Sequence, residues 1–73
     1  MNSTYYRSFR MYQTCRYIGL RKEPTLNAKI TTYIKPGFKV LCVNVSLDTS
    51  GNIWIKTPFG WLCAINNGEV FIK

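Results

Sequence analysis

The chain has 73 residues, of which 47% are hydrophobic and 15% aromatic, a composition that excludes a disordered segment and fits one small domain. Ten Lys and Arg residues face three acidic residues and no histidine, so the net charge is +7, which favours anionic partners but also serves solubility. No run of residues approaches the ~18 apolar positions of a membrane span.

Short strands are the predicted elements, because Gly and Pro recur at short intervals between runs rich in β-branched and aromatic residues. The first strand is expected over residues 10–17, followed by a long polar loop over residues 20–29. Residues 29–34 form the next predicted strand, and the Pro36-Gly37 pair after it predicts a turn. Residues 38–45 are apolar on both faces, as expected of a central strand.

The C-terminal half predicts a polar loop and then a hairpin. The loop covers residues 46–52, and the hairpin joins residues 53–57 to residues 60–65 through a short connection that Gly60 can close. A turn at Asn67-Gly68 leads into a last strand over residues 69–73. No helical periodicity lasts beyond one turn, so we expect an all-β fold, a small barrel of five to six short antiparallel strands.

Three motifs in this order resemble the bacterial-type SH3 (SH3b) family. Ile18–Pro24 is similar to the hydrophobic-Asn-Val-Arg-x-x-Pro motif of that family, with Gly in place of Asn. Residues 30–43 are similar to its strand, basic-Gly turn and Val-rich strand. Trp54 and Gly60–Leu62 are similar to its Trp and Gly-Trp-Val elements, with Leu in place of Val. The resemblance covers residues 11–65.

The resemblance implies an SH3-like barrel over residues 11–73, with residues 1–10 as an extension that is frayed or adds a strand. It also implies that Trp61 packs inside the barrel. Trp54 opens the strand after the polar loop, where such barrels often present an aromatic residue beside a ligand groove, so a core role and a ligand role both stay open for it.

Catalysis is not expected from these residues. Without histidine the usual general base at neutral pH is missing, and no phosphate-binding glycine motif is present. We therefore expect no enzyme, no cofactor and no metal site. Three cysteines without a C-x-x-C pair fit neither a zinc site nor a disulfide framework. Cys42 and Cys63 lie in apolar runs and are interpreted as reduced core thiols, whereas Cys15 can be a free thiol or pair with another molecule.

A binding module remains as the leading interpretation. Its groove is expected between the loop over residues 21–28 and the loop over residues 45–52, with aromatic side chains at the floor and charged side chains on the walls. Arg21 has an alternative role in holding its own loop, and Tyr33 can be a lone exposed aromatic. The predicted ligand-binding residues are Tyr17, Arg21, Glu23, Tyr33, Asp48, Trp54 and Phe59. The family resemblance implies that the ligand is a peptidoglycan peptide or another short peptide.

Two other functions are compatible with the sequence. A small basic barrel can bind nucleic acid or a protein partner inside the cell, because arginine and aromatic side chains alternate near the N-terminus. The residues predicted for a nucleic-acid site are Arg7, Arg10, Arg16 and Lys39. A structural domain that self-associates through its last strand is the other alternative. Since the N-terminal stretch has no apolar core of a secretory signal, we expect a cytoplasmic chain or a part of a larger protein.

Overall fold

The computed structural model describes residues 6–73, and over that range the fold is all-β, as predicted. Eight short strands are present, namely β1 (Arg10–Gln13), β2 (Ile18–Arg21), β3 (Ile30–Ile34), β4 (Lys39–Cys42), β5 (Asn44–Leu47), β6 (Ile53–Thr57), β7 (Gly60–Asn66) and β8 (Glu69–Val70). All pairings are antiparallel. Strands β1 and β4 form a two-stranded sheet, while the other six form a sheet in the order β3-β2-β7-β6-β5 with β8 beside β7. This part of the chain holds no helix able to cross a membrane.

The strand count exceeds the five to six expected because long apolar runs bend between sheets. Residues 38–45 are two strands: β4 pairs with β1 and β5 pairs with β6, and Val43 between them donates its backbone N–H to the carbonyl of Lys56. The run over residues 10–17 likewise ends at Gln13, and β2 (Ile18–Arg21) includes the first two residues of the expected long loop. The last predicted strand shortens to Glu69–Val70, followed by a single bridge between Thr14 and Ile72.

A small core fills the space between the two sheets. Side chains alternate across a strand, so every second residue of β2, β6 and β7 faces inward. The core cluster consists of Tyr6, Ile18, Leu20, Val40, Cys42, Ile53, Ile55, Leu62, Ala64 and Ile72. We call the face of the six-stranded sheet turned away from this cluster the outer face.

The N-terminal segment belongs to the body of the domain from residue 6 onward. Tyr6 is buried, its hydroxyl donates to the carbonyl of Ile72, and its ring meets the ring of Tyr12 edge-on with centroids 5.1 Å apart. The backbone N–H of Phe9 donates to the carbonyl of Cys42, beside the start of β1. Residues 6–10 of the expected extension thus lie against the rest of the domain, while its residues 1–5 lie outside the described range.

Thr14 ties the first strand to the turn between β3 and β4. Its hydroxyl donates to the carbonyl of Lys35 at 2.7 Å and accepts the N–H of Phe38 at 2.9 Å, and its backbone carbonyl accepts the N–H of Gly37 at 2.7 Å. The residue is only 2% exposed. These bonds fix the turn at residues 35–38 and with it the position of the Phe38 side chain.

Candidate functional site

Both tryptophans lie on the outer face, but they differ in burial. Ile53 and Ile55 point into the core, so Trp54 between them points outward; Leu62 points into the core, so Trp61 before it also points outward. Yet Trp54 is fully buried, whereas Trp61 is half-buried. The expectation that Trp61 fills the barrel is thus wrong, and Trp54 has no surface with which to contact a ligand.

Trp54 is buried because the loop after β5 closes over it. The indole Nε1 donates to Oδ2 of Asp48 at 2.9 Å, and the same oxygen accepts the side-chain amide of Asn52 at 3.1 Å. The other oxygen, Oδ1, accepts the backbone N–H groups of Ser50 and Asn52, both at 2.9 Å. Asp48 was expected in the wall of a groove. In the structure it is instead the acceptor that holds its own loop against the indole.

The pKa of the Asp48 carboxyl is set by two opposing effects. Partial burial raises it, but the four hydrogen bonds from Trp54, Asn52 and Ser50 favour the ionised form and together hold the pKa below its usual value. Asp48 thus keeps its negative charge at neutral pH, and both of its carboxylate oxygens accept hydrogen bonds from within the domain.

Arg21 and Glu23 lie on the loop between β2 and β3. One terminal nitrogen of the Arg21 guanidinium donates to the carbonyls of Leu26 and Ala28, each at 2.9 Å, and so holds the loop in the way the alternative interpretation expected. Glu23 is exposed on that loop. Tyr17, 69% exposed, shares with Arg21 a small cleft of about 170 Å³.

The expected groove between the two loops is therefore not formed as a common site. Tyr33 is exposed on β3 opposite Gly19, on the outer face. Phe59, 85% exposed, lies in the β6–β7 turn and lines a different cavity. Of the seven predicted ligand-binding residues, two pairs come together, Tyr17 with Arg21 and Asp48 with Trp54, and the second pair is structural.

An open apolar cavity is lined by residues of β3 and β4, two strands that do not pair with each other. Its volume is about 360 Å³. Leu20, Val40 and Leu62 come from the buried core, while Phe38 and Phe59 are largely exposed at its rim. Its remaining lining residues are Thr32, Ile34, Lys39, Leu41, Thr57 and Pro58. We call this cavity the Phe groove.

The four residues predicted for a nucleic-acid site have different surroundings. Arg16 pairs with Glu69 at 3.2 Å and stacks over Phe71, with the guanidinium carbon 5.2 Å from the ring centroid. Lys39 stands opposite Gln13 and lines the Phe groove. Arg7 and Arg10 are exposed, and within residues 6–73 neither forms an ion pair.

The three thiols are free, and their surroundings differ. Cys42 and Cys63 are buried and Cys15 is exposed. Burial raises the pKa of Cys63 to about 12, with a further increase from Asp48 and a smaller opposing effect of Arg21. Burial also raises the pKa of Cys42. Within residues 6–73 no three Cys, Asp or Glu side chains come together in a way that could hold a metal ion.

No family model, curated protein or solved structure matches this chain.

Proposed function

We propose that the protein is a non-catalytic binding module that takes a short extended peptide into the Phe groove. The observation that carries the proposal is the pair of exposed phenyl rings, Phe38 and Phe59, at the rim of an open apolar cavity. Largely exposed phenyl rings beside buried core residues favour association with an apolar side chain, because each ring can bury a large area. The proposal keeps the expected ligand class and replaces most of the expected site.

The free edge of β3 supports an extended peptide over other ligand shapes. Within the described residues β3 pairs with β2 alone, so its second edge is available for backbone hydrogen bonds. Thr32 and Ile34 of that strand also line the Phe groove. A peptide laid along β3 would bond to its backbone and place every second side chain in the groove, the mode of strand addition known from other peptide-binding domains.

Charge complementarity favours a peptide with acidic residues between the apolar ones. The chain carries +7, and of its three acids Asp48 is bound to Trp54 and Glu69 to Arg16. Lys39 lies in the groove wall itself. Side chains of an extended peptide alternate between two faces, so apolar residues can enter the groove while acidic residues remain near the surrounding cations. The SH3b resemblance makes peptidoglycan peptides a second ligand to test.

The test is a selection from a random heptapeptide display library on the immobilised domain, followed by titration of the enriched peptide. We expect peptides that alternate apolar and acidic residues. Phe59→Ala should weaken binding by on the order of tenfold, as loss of an aromatic anchor does. Phe9→Ala is the matched control, since Phe9 is 79% exposed but lies outside the groove, and it should leave affinity unchanged.

Amide NMR then locates the ligand on the domain. Shifts concentrated on β3, β4 and the β6–β7 turn are the expected result, with the enriched peptide or with soluble peptidoglycan fragments. Enrichment that is equal on the wild type and Phe59→Ala would refute the groove as the site. Shifts confined to Tyr17, Arg21 and the loop after β2 would move the site to the small cleft on the outer face.

A further inference from the structure

A second surface, on the outer face, combines cations with the reachable indole. Arg21 of β2 pairs directly with Trp61 of β7, and Trp61 pairs directly with Lys56 of β6. Directly paired residues of antiparallel strands project from the same face of a sheet. The three side chains therefore form one row across three strands, with the indole in the centre. We call this the Arg-Trp-Lys row.

The geometry of the row leaves Lys56 exposed and Trp61 and Arg21 partly accessible to a ligand. The Lys56 ammonium lies over the Trp61 ring, 6.0 Å from its centroid. Lys56 is exposed and Trp61 half-buried, and Asn44 of β5 extends the row beyond Lys56. One guanidinium nitrogen of Arg21 is bound to two loop carbonyls, which fixes the position of its charge. A cation held in place loses less conformational freedom when a ligand binds.

The row itself contains no acidic residue. Asp48 lies outside the row, where it accepts hydrogen bonds from Trp54 and from its own loop, and Glu69 is paired with Arg16. Glu23, the third acid of the chain, is exposed on the loop beyond Arg21 and outside the row. An anion approaching the row thus meets two cations at the sheet surface.

We propose that the Arg-Trp-Lys row binds single-stranded nucleic acid, with a base stacked on Trp61 and backbone phosphates at Lys56 and Arg21. A planar aromatic ring between cations fits a ligand that carries both planar bases and phosphates, which is why single strands are bound by this combination of residues. An acidic lipid or a simple polyanion would use the cations but not the indole. The site is separate from the Phe groove, and either can exist without the other.

The test is a titration of the protein with a 12-nucleotide oligo(dT). Trp54 has no exposed surface, so quenching of tryptophan fluorescence reports contact with Trp61. We expect quenching and a dissociation constant of about 1–100 µM near 0.15 M salt, rising steeply with salt concentration. Absence of both quenching and binding at 50 mM salt would overturn the proposal.

Variants separate this row from general attraction by positive charge. Lys56→Gln should reduce the slope of log affinity against log salt by about 0.7, the value for one lost phosphate contact on a single strand. Lys39→Gln removes the same charge from an exposed lysine on β4, in the wall of the Phe groove, and should leave the slope unchanged. Equal effects of the two substitutions would refute the row as the binding site.

Stacking is tested by substitution at the indole, with anisotropy of a labelled oligo(dT) as the readout. Trp61→Leu should weaken binding about 5- to 150-fold, and Trp61→Phe by less, because a phenyl ring still stacks. Circular dichroism of each variant shows whether it is folded. If inorganic polyphosphate or phosphatidylserine vesicles bind equally well and remain as sensitive to Lys56→Gln, the row is a general anion surface and the proposal fails. Phe59→Ala should retain oligo(dT) binding, so this test and that of the Phe groove fail independently.

Discussion

Replacing Asp48 by Asn tests whether its carboxylate holds the loop on Trp54. The substitution preserves the shape of the side chain but turns one acceptor oxygen into an NH₂ donor. One orientation of the amide faces this donor toward the Trp54 indole N–H and the Asn52 amide; the other faces it toward two backbone N–H groups. In either orientation two donors lose their acceptor.

The expected loss of stability follows from the burial of those donors. Leaving a buried donor without an acceptor costs about 1–3 kcal/mol. Trp54 is fully buried, whereas the loop around residues 49–51 is exposed and can recover bonds to water. We therefore expect Asp48→Asn to lower the free energy of unfolding by roughly 2–3 kcal/mol. For a domain of this size that corresponds to a decrease in Tm of roughly 8–24 °C.

The difference in free energy of unfolding between the wild type and Asp48→Asn should depend on pH. Because the pKa of Asp48 is lowered in the folded state, its ionisation stabilises the fold at pH values above the unfolded pKa, and this contribution is lost as pH falls through the folded pKa. Urea unfolding at pH 7 should show the full difference between wild type and Asp48→Asn. The difference should become smaller as the pH is lowered below about 4, because the wild-type carboxyl becomes protonated as the pH falls through its folded pKa.

Glu69→Gln is the matched control for that experiment. It is also an acid-to-amide change, but its ion pair with Arg16 is solvent-exposed, with more than half of each side chain accessible. Exposed pairs contribute about 0–1 kcal/mol, so this variant should unfold within that range of the wild type. A loss below about 0.5 kcal/mol for Asp48→Asn at pH 7, or one that persists unchanged at low pH, would refute the role assigned to the carboxylate.

Three further predictions concern the fold that positions both sites. Thr14→Val removes a buried hydroxyl that both donates and accepts a hydrogen bond, so urea unfolding should show a decrease of about 1–3 kcal/mol in the free energy of unfolding. A decrease below about 0.5 kcal/mol would contradict the role of this residue in fixing the turn after β3. Gly60→Ala should destabilise by more than Gly51→Ala, which should lose about 1–2 kcal/mol. Both glycines have positive φ angles, but of the two only Gly60 would place a Cβ 2.8 Å from a backbone oxygen. Equal decreases in Tm for the two variants would refute the clash at Gly60. Iodoacetamide at pH 8 should modify the native chain once, at Cys15, and three times after denaturation, as counted by mass spectrometry; rapid labelling of a second thiol would contradict the raised pKa values of the buried pair.

The sequence predicted the strands of the C-terminal hairpin well because local signals specify them. Pro58 and Phe59 form a two-residue connection before Gly60, and the flanking residues alternate. The register of Thr57 opposite Gly60 agrees with this pattern. The same alternation places Trp54 and Trp61 on one face. The alternation does not predict that the loop after β5 covers Trp54 and not Trp61, because that depends on the three-dimensional path of the loop that carries Asp48.

The Phe groove could not be predicted for a related reason. Phe38 stands directly after the Pro36-Gly37 turn and begins a run that reads as one long strand. That run divides at Val43 because its two halves pair with different sheets, and the groove exists because β4 pairs with β1 and not with β3. Pairing choices of this kind depend on the whole set of strands, and no short window of residues contains them.

The hydrogen bond between Tyr6 and Ile72 joins positions 66 residues apart, so the described chain enters and leaves the domain at nearly the same point. Bringing those positions together closes a loop of almost the whole domain, and such distant contacts slow folding. It also means that the two ends of this segment can be joined by a short linker, or that copies can be strung in series, with little change to the barrel.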